Sequence, residues 1–246
     1  MVFYAWIDGE YRQPRQRGES TSCPSCNSVI HAVFRDGVPP YWRHRKGDCD
    51  AWSEPEGEWH LGWKRLFPAD CREITLRSDG EMHRADVMIR AGTPLAHTLE
   101  LQHSPISRQD IAIRERFYSR MGGMTWVVHL HDDQGALNDS RFSASLTLLP
   151  KQMEFKGRNF VTALWCGRVP TFIEKWKHSN AHVFFDWRGR LFYLATMRAC
   201  RELVAKLEKG KFAVLPASTM DLMRTIGWSP ERNEANDQTA PEPSAL

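Results

Sequence analysis

Hydrophobic and polar residues alternate in short runs along much of the chain, which is the two-residue period of β-strands. The clearest alternation spans residues 71–104, where Ser78-Asp79-Gly80-Glu81 and Gly92-Thr93-Pro94 supply two turns. This segment is predicted to form a meander of three strands. Further strands are predicted at 2–7, 29–34, 125–130, 145–149, 160–165, 182–186, 190–195 and 212–215.

Helical spacing of apolar residues marks four other segments. Trp59, Trp63, Leu66 and Phe67 share one face of a helix that is expected to begin near Ser53. A second helix begins at a capping-box-like Ser107 and runs to about residue 121, and two more are predicted at 197–209 and 219–226. Strands and helices in this order predict an α/β core with a mixed sheet and flanking helices.

Two carboxylates fall on polar positions of neighbouring predicted strands. Asp86 and Glu100 share a sheet face with Arg84 and Gln102 if the register brings the strands together. Facing carboxylates suit a hard cation such as Mg²⁺ or Mn²⁺, which in a basic protein most often acts on a phosphodiester. The solvated face of a half-exposed sheet would carry the same polar residues, and the pattern alone does not separate the two interpretations.

A row of polar residues lies on the helix that precedes the meander. Glu56, His60 and Lys64 are spaced four residues apart, so they line one side of this helix, while Glu58 lies about 200° around from His60. The pattern alone favours a solvated ladder of charged residues over a functional site.

The N-terminal segment carries a cysteine motif typical of a zinc knuckle. Cys23 and Cys26 form a CxxC turn, and His44 with Cys49 would complete a closed, structural Cys₃His zinc site. His31 and Cys71 are alternative ligands, and reduced cysteines without metal are the alternative interpretation. The six cysteines are expected to be reduced or metal-bound, because the chain shows no secretory signal and is assigned to the cytoplasm.

Length and charge set the broad class. The 246 residues allow one large domain, or one domain with a small appendage, and no apolar run is long enough to span a membrane. The formal net charge is +3, but four acids against one base in residues 229–246 leave +6 on the rest, which favours a polyanionic partner. We predict a β module at 1–50, an α/β domain at 51–228 and a disordered tail at 229–246.

Six segments of residues 20–130 together resemble a known family. CPSC, YWRH, EPEGEWHLGWK, HRADV, LELQHSPIS and RERFY occur in the order that is typical of the competence protein CoiA-like family, whose members resemble PD-(D/E)XK nucleases. The resemblance implies a restriction-endonuclease-like α/β core behind an N-terminal cysteine module. It implies a nuclease dependent on Mg²⁺ or Mn²⁺ that acts on DNA, with RNA left open, alongside competence, recombination or defence proteins.

The same resemblance assigns roles to individual residues. Gln102 stands where the parent fold usually has a lysine, so either Lys64 supplies the missing cation or the site is slow or inactive. The implied catalytic residues are Asp86, Glu100, Gln102, His60 and Lys64. The implied Mg²⁺ or Mn²⁺ ligands are Asp86, Glu100 and one acid of the preceding helix, for which Glu58 is chosen over Glu56. The implied substrate contacts are Arg84, Arg108, Arg114, Arg116 and Tyr118.

Two other functions remain open on the sequence. One is a zinc-stabilised module that binds nucleic acid without catalysis. The other is a metal-dependent hydrolase of a different substrate, which the positive charge and the arginine-rich helix after residue 107 disfavour.

Overall fold

The computed structural model describes residues 2–54, 56–130, 145–167, 169 and 171–229. Within these ranges the chain is an α/β protein with one nine-stranded mixed sheet, short flanking helices and two small N-terminal sheets. The predicted α/β class is therefore confirmed. No helix in these ranges is long and apolar enough to cross a membrane.

The N-terminal residues form a hairpin and a three-stranded antiparallel sheet. Val2, Ile30 and Trp42 are fully buried in their common core, and the Val2 backbone pairs with Trp42. Phe3, Tyr41 and Leu61 pack together and join this unit to the helix that follows it. The strands are β1 (Ala5–Ile7), β2 (Glu10–Arg12), β3 (Ser20–Ser22), β4 (Val29–Arg35) and β5 (Val38–His44).

The next elements form the predicted meander and its two flanking helices. The first three strands are antiparallel, and the fourth runs parallel to the third because a helix carries the chain back across the sheet. The elements are α1 (Glu58–Lys64), a 3₁₀ turn (Ala69–Cys71), β6 (Arg72–Ser78), β7 (Glu81–Ile89), β8 (His97–Gln102), α2 (Arg108–Ser119) and β9 (Gly123–Leu130).

The remaining elements extend the same sheet. β9 is central, and its apolar run is buried on both faces: Trp126 and Val128 face the side of α2, while Val127 faces the side of α1. The sheet order is β10-β11-β14-β13-β12-β9-β8-β7-β6. The added elements are β10 (Leu146–Phe155), β11 (Arg158–Trp165), α3 (Thr171–Lys177), β12 (His182–Trp187), β13 (Arg190–Leu194), α4 (Arg201–Val204), β14 (Lys211–Ala217) and α5 (Thr219–Ile226).

Two predicted helices differ from the observed ones. α1 begins after Gly57 rather than near Ser53, because Gly57 is extended and the preceding segment reaches across the sheet end. The helix predicted at 197–209 is limited to α4, after which i→i+3 turns at Leu203 and Val204 replace it. The predicted tail lies, from residue 230 onward, outside the described residues.

Candidate active site

Helix α1 is fixed to the sheet by two indole hydrogen bonds. Trp59 Nε1 and Trp63 Nε1 both donate to Asp186 Oδ2 on β12, at 2.8 and 3.0 Å. The buried carboxylate also accepts from the backbone N–H of Gly189. This anchoring places His60 and Lys64 beside the meander, where both are buried. The interpretation of these residues as a solvated ladder is therefore wrong.

Lys64 lies at the centre of an acidic cluster. Its side chain is 1% exposed, and Nζ lies 2.5 Å from Glu56 Oε2, 3.1 Å from Glu73 Oε1 and 3.0 Å from Asp86 Oδ1. Burial disfavours the charged ammonium, but the three carboxylates raise the pKa of Lys64 well above its usual value. An ammonium has three N–H groups, so all of its donors are used by these carboxylates.

Glu73 connects this cluster to the N-terminal unit. Its carboxylate accepts hydrogen bonds from the backbone N–H groups of Phe3 and Tyr4, at 3.0 and 3.2 Å, as well as from Lys64. Glu73 has a φ of +52°, in the left-handed region that non-glycine residues rarely occupy. It lies between Arg72 and Ile74, which pair with Val87 and Ala85, so it stands opposite Asp86.

Asp86 and Glu100 meet as the alternation predicts. Asp86 Oδ2 accepts from the Leu101 N–H at 2.9 Å, and the Asp86 N–H donates to Glu100 Oε1 at 3.3 Å. The carboxylate of Glu100 lies 3.8 Å from Arg114 Nη1 of α2. Strands β7 and β8 therefore place both carboxylates at one point of the sheet, between α1 and α2.

Gln102 holds another acid rather than facing the cavity. Its amide Nε2 donates to the Glu54 carboxylate at 3.1 Å and to the Ser104 carbonyl at 2.8 Å. Glu54 also accepts from the Ser104 hydroxyl and lies 3.3 Å from Arg114. Gln102 is 2% exposed and does not line the cavity, so its contacts position Glu54 rather than a group inside the cavity, as its predicted catalytic role would require.

Together these residues line a cavity of about 40 Å³, which has room for a small ion with a few water molecules but not for a nucleotide. Carboxylates outnumber cationic side chains in its wall. The lining acids are Asp50, Glu54, Glu56, Glu73, Asp86 and Glu100, and the other titratable lining residues are His60, Arg84 and Arg114.

The crowding of acids shifts their protonation. Burial raises the pKa of Glu100 to about 8, with the charge of Asp86 adding to the effect and that of Arg114 opposing it. Burial also raises the pKa of Glu56 to about 7, against the attraction of Lys64. Burial opposes ionisation of Asp86 as well, but Lys64 lowers its pKa below the usual value. Asp86 is therefore ionised at neutral pH, Glu100 mostly holds a proton, and Glu56 is close to its midpoint.

His60 lines the cavity but has little freedom to transfer protons. Its Nδ1 accepts from the Gly57 N–H at 3.3 Å, and the ring also hydrogen-bonds the Leu101 backbone. Burial lowers the pKa of His60 to about 4, partly offset by Asp86, so the ring is neutral. These contacts position α1 against β8, and a catalytic role for His60 stays a prediction.

Several predicted substrate contacts are buried instead. Tyr118 is 0% exposed beside Glu100, and burial with the Glu100 charge raises its pKa well above the usual value. The Arg84 side chain is 6% exposed and lies 3.7 Å from Asp48, while its backbone N–H donates to Asp50. Tyr118 is enclosed behind Glu100, so the prediction that it contacts substrate directly is corrected. Arg84 is held among the acids but lines the cavity, and its substrate contact stays a prediction. Of the four predicted arginines, Arg84 and Arg114 line the cavity and the other two do not.

Three other predicted residues lie away from the acidic cavity. Glu58 has a side chain 70% exposed and 3.5 Å from Arg65, so Glu56 is the acid of this segment that adjoins Asp86. The choice of Glu58 as a metal ligand is thus corrected, because it lies on the solvent side of α1. Arg108 and Arg116 are exposed on α2 and do not line the cavity.

Sequence reasoning missed Asp50, Glu54 and Glu73. Glu73 resembles an ordinary polar residue at a strand start, and neither periodicity nor spacing links it to Phe3. Asp50 and Glu54 lie in an irregular segment without a period. The concentration of acids and tryptophans in residues 48–63 was the one available signal.

The four predicted cysteine and histidine ligands form a second cluster. Cys23, Cys26, His44 and Cys49 place one ligand atom each within 4.8 Å of all the others, so they could hold a metal ion, consistent with a structural zinc. Cys23 Sγ lies 3.8 Å from Cys49 Sγ. Two thiolates bound to one tetrahedral zinc are also separated by about 3.8 Å. His31 and Cys71 lie elsewhere, near Arg45 and in the sheet core.

The protonation of the thiols favours a bound cation. Burial alone would raise the pKa of Cys26, but hydrogen bonds from Ser28 and His44 lower it to about 6. Burial and the charge of Cys23 raise the pKa of Cys49 above its usual value. A bound cation would favour the thiolate form of Cys26 and Cys49 together. Within the described ranges, this is the one group of three or more such ligand atoms within 4.8 Å of one another.

The cysteine cluster is continuous with the acidic cavity. Cys49 lies between Asp48, which faces Arg84, and Asp50, whose carboxylate contacts His83 Nδ1 at 2.9 Å and the Arg84 N–H at 2.8 Å. Ser25 of the CxxC turn shares a hydroxyl hydrogen bond of 2.7 Å with Thr75 on β6. The two clusters thus belong to one connected structure.

Comparison with known proteins identifies no relative of this chain. The chain matches no family model, no curated protein and no solved structure.

Proposed function

We propose that the chain is a metal-dependent nuclease that hydrolyses phosphodiester bonds, with DNA as the expected substrate. The observation that carries the proposal is the small cavity in which Asp86 and Glu100 lie together and carboxylates outnumber cationic side chains. Such a cavity repels a phosphate unless a cation neutralises it. A hard divalent ion would bind the carboxylate oxygens and would also neutralise the negative charge that repels the phosphate.

The positions of Asp86 and Glu100 agree with the roles that the CoiA-like resemblance implies. Both lie on the second and third strands of a meander, with α1 before it and α2 after it. This arrangement supports a PD-(D/E)XK-like core as the finer description of the fold. Each carboxylate oxygen has two lone pairs, so Asp86 can bind a cation while still accepting from Lys64 and Leu101.

The expected metal is Mg²⁺ or Mn²⁺, which would make a bound water acidic and stabilise charge on the phosphate. Asp86 and Glu100 would hold it, with Glu56, which shares Lys64 with Asp86, as an additional acid. Lys64 keeps Glu56 and Asp86 in place, and Arg114 orients Glu100 and faces the side where a phosphate would approach. The cysteine cluster would hold zinc as a structural element and take no part in hydrolysis.

Substitutions that remove one charge at constant shape test this assignment. Asp86→Asn and Glu100→Gln are each expected to reduce Mn²⁺-dependent cutting of single- and double-stranded DNA by at least about a hundredfold, since a lost metal-site group typically costs that much. Gel assays of cleavage rate at several Mn²⁺ concentrations measure the effect. Glu81→Gln is the matched control, because Glu81 begins β7 but is exposed. Equal cutting by all three variants would refute the assignment.

The pH dependence of metal binding provides a separate prediction. The folded metal-free protein keeps protons on Glu100 and Glu56 that the unfolded chain loses above its ordinary pKa of 4.5. Their contribution to the free energy of unfolding is therefore greatest below pH 4.5 and is lost as the pH rises through about 7 and 8. A bound divalent ion displaces these protons, so Mn²⁺ should raise the Tm more at pH 8 than at pH 6.

Thermal unfolding of the whole chain with Mn²⁺ and with EDTA at both pH values measures this difference. Glu100→Gln carries no titrating proton, so it should remove most of the pH dependence. A Tm increase that is the same at pH 6 and pH 8 in the wild type would contradict binding at Glu56 and Glu100.

One observation favours a second function, a zinc-stabilised module that binds nucleic acid without cutting it. Lys64 already ion-pairs with three of the acids that line the cavity, so these acids have a cation of the chain beside them. This alternative predicts DNA binding that is unchanged by EDTA at concentrations that leave zinc in place, and no cutting with Mg²⁺ or Mn²⁺. A DNA titration with and without EDTA, read beside the cleavage assay, distinguishes the two functions.

A further inference from the structure

A second and much larger depression lies at the opposite end of the central strands. It has a volume of about 720 Å³ and opens where β8, β9 and β12 begin, between α2 and α5. We call it the arginine groove, because Arg116 of α2 and Arg198 both line it. His97, His182, Ser119 and Asn180 complete its polar wall.

The two guanidinium groups of the arginine groove are unlike those near the acidic cavity. Arg84 and Arg114 are held by carboxylates, whereas Arg116 and Arg198 are exposed. Across the described part of the chain, neither Arg116 nor Arg198 has a carboxylate within 4.0 Å. Both therefore present an uncompensated positive charge and free donors to the groove.

No accessible negative charge offsets them in the groove wall. Glu115 is the one acid in the lining, and its buried carboxylate accepts from Trp126 Nε1, Ser179 Oγ and the Asn180 N–H at 3.1, 2.5 and 2.9 Å. Burial raises the pKa of Glu115, which further reduces its charge. The groove is consequently suited to an anion.

The imidazoles of the groove also report a positive environment. Burial lowers the pKa of His97 to about 4, and the charges of His182, Arg90 and Arg198 add to the effect. Burial and Arg198 likewise lower the pKa of His182. His97 pairs with Thr125 and His182 with Tyr193, both at hydrogen-bond distance. Both rings are neutral at pH 7 and leave the arginines as the anion-binding groups.

The arginine groove is connected to the acidic cavity by shared elements. Arg114 and Arg116 lie on the same helix, one beside the cavity and the other in the groove. On β8, His97 lies in the groove and Glu100 in the cavity, three residues apart, which is roughly 10 Å at about 3.3 Å per residue. A nucleic-acid strand that rises about 3.4 Å per nucleotide covers that distance with roughly three nucleotides.

We propose that the arginine groove binds the phosphodiester backbone of the nucleic acid that is cut at the acidic cavity, a few nucleotides from the scissile bond. The inference rests on the proposed nuclease function and adds a second contact that gives affinity without reading sequence. Arg116 keeps a substrate role, but in the groove, and Arg198 joins it. The acidic cavity repels a strand when it holds no divalent ion, so in EDTA the groove supplies most of the binding.

Binding measured in EDTA tests the groove without any cleavage. The variant Arg116→Gln/Arg198→Gln is compared with Arg35→Gln/Arg43→Gln, which removes the same charge from two exposed positions of the N-terminal sheet. Fluorescence anisotropy of a labelled strand and of a labelled duplex, each about twenty nucleotides long, gives the Kd at several salt concentrations. EDTA is kept at a level that leaves zinc bound, as confirmed by metal analysis.

The groove variant is expected to bind on the order of tenfold more weakly, and the control variant to bind as the wild type does. The slope of log Kd against log salt should fall by about 0.7 for each lost contact to a single strand. Equal affinities and slopes for the two variants would overturn the proposal. Displacement of the labelled strand by micromolar mononucleotide would also overturn it, since the groove would then be a small-molecule site.

The binding and cleavage assays distinguish an error in the proposed role of the groove from an error in the proposed nuclease function. A wild type that cuts with Mn²⁺, together with a groove variant that binds like the control, overturns the groove alone. A wild type that never cuts, together with a groove variant that loses affinity, overturns the nuclease function and supports the groove as a nucleic-acid contact.

Discussion

Lys64→Met is expected to reduce the free energy of unfolding by about 3–5 kcal/mol and to abolish DNA cutting. Its ammonium is 1% exposed and lies within ion-pair distance of Glu56, Glu73 and Asp86. Removing one partner of a buried ion pair leaves uncompensated charge, which is the costly case for such groups. The remaining acids would take up protons, and Asp86 would lose the charge that a divalent ion requires.

Chemical denaturation and the cleavage assay measure the two effects. The matched control is Lys177→Met on α3, because Lys177 is a second buried lysine, 2% exposed. Its ammonium donates to the Glu174 carboxylate and to the backbone carbonyls of Glu208 and Lys211. Both variants should lose stability, but Lys177→Met should retain Mn²⁺-dependent cutting and its pH dependence under conditions where it is folded. A Lys64→Met protein as stable and active as the wild type would refute the central role of this ammonium.

Loss of the proposed structural zinc is expected to have the other large effect. Cys26→Ser should lower the zinc content, unfold much of the segment from β1 to β5 and reduce cutting severely, although Cys26 does not touch the acidic cavity. Structural zinc sites contribute on the order of 10 kcal/mol or more to the folding of small units. The effect reaches the cavity because Phe3 and Tyr4 hold Glu73, while Asp50 holds His83 and Arg84.

Metal analysis, circular dichroism and cleavage rates follow this loss together. Cys166→Ser is the matched control, since Cys166 is exposed and lies outside the cluster. It should keep zinc, fold and cut normally. A Cys26→Ser protein that has lost its zinc but keeps the Tm and the activity of the wild type would show that the cluster does not support the fold.

Much of the fold was predictable because its strands are half-buried. In β7 and β8, burial of one face forces alternation, which correctly predicted that Asp86 and Glu100 would meet. The apolar run of β9 likewise predicted a strand covered on both faces. Short elements were predicted less well. The hydrophobic pattern at 197–209 predicts a helix of thirteen residues, whereas α4 has four.

The predictions for polar residues depended on contacts that the sequence does not show. His60 and Lys64 lie on a face that resembles a solvated ladder, and only the position of α1 against Asp186 shows that they are buried. Glu73 is seventy residues from Phe3. No local pattern encodes a hydrogen bond over that separation, and the same holds for Glu54 and Gln102.

The sequence by itself determined the α/β class, the four members of the cysteine cluster as its leading prediction, and the pairing of Asp86 with Glu100. These follow from spacing within short segments, where the backbone fixes the geometry. Only the tertiary structure decided that Glu56 rather than Glu58 adjoins Asp86, that Lys64 is enclosed by three acids, and that Arg114 and Arg116 face different sites. The physical reason is that burial and charge compensation depend on which distant segments pack together.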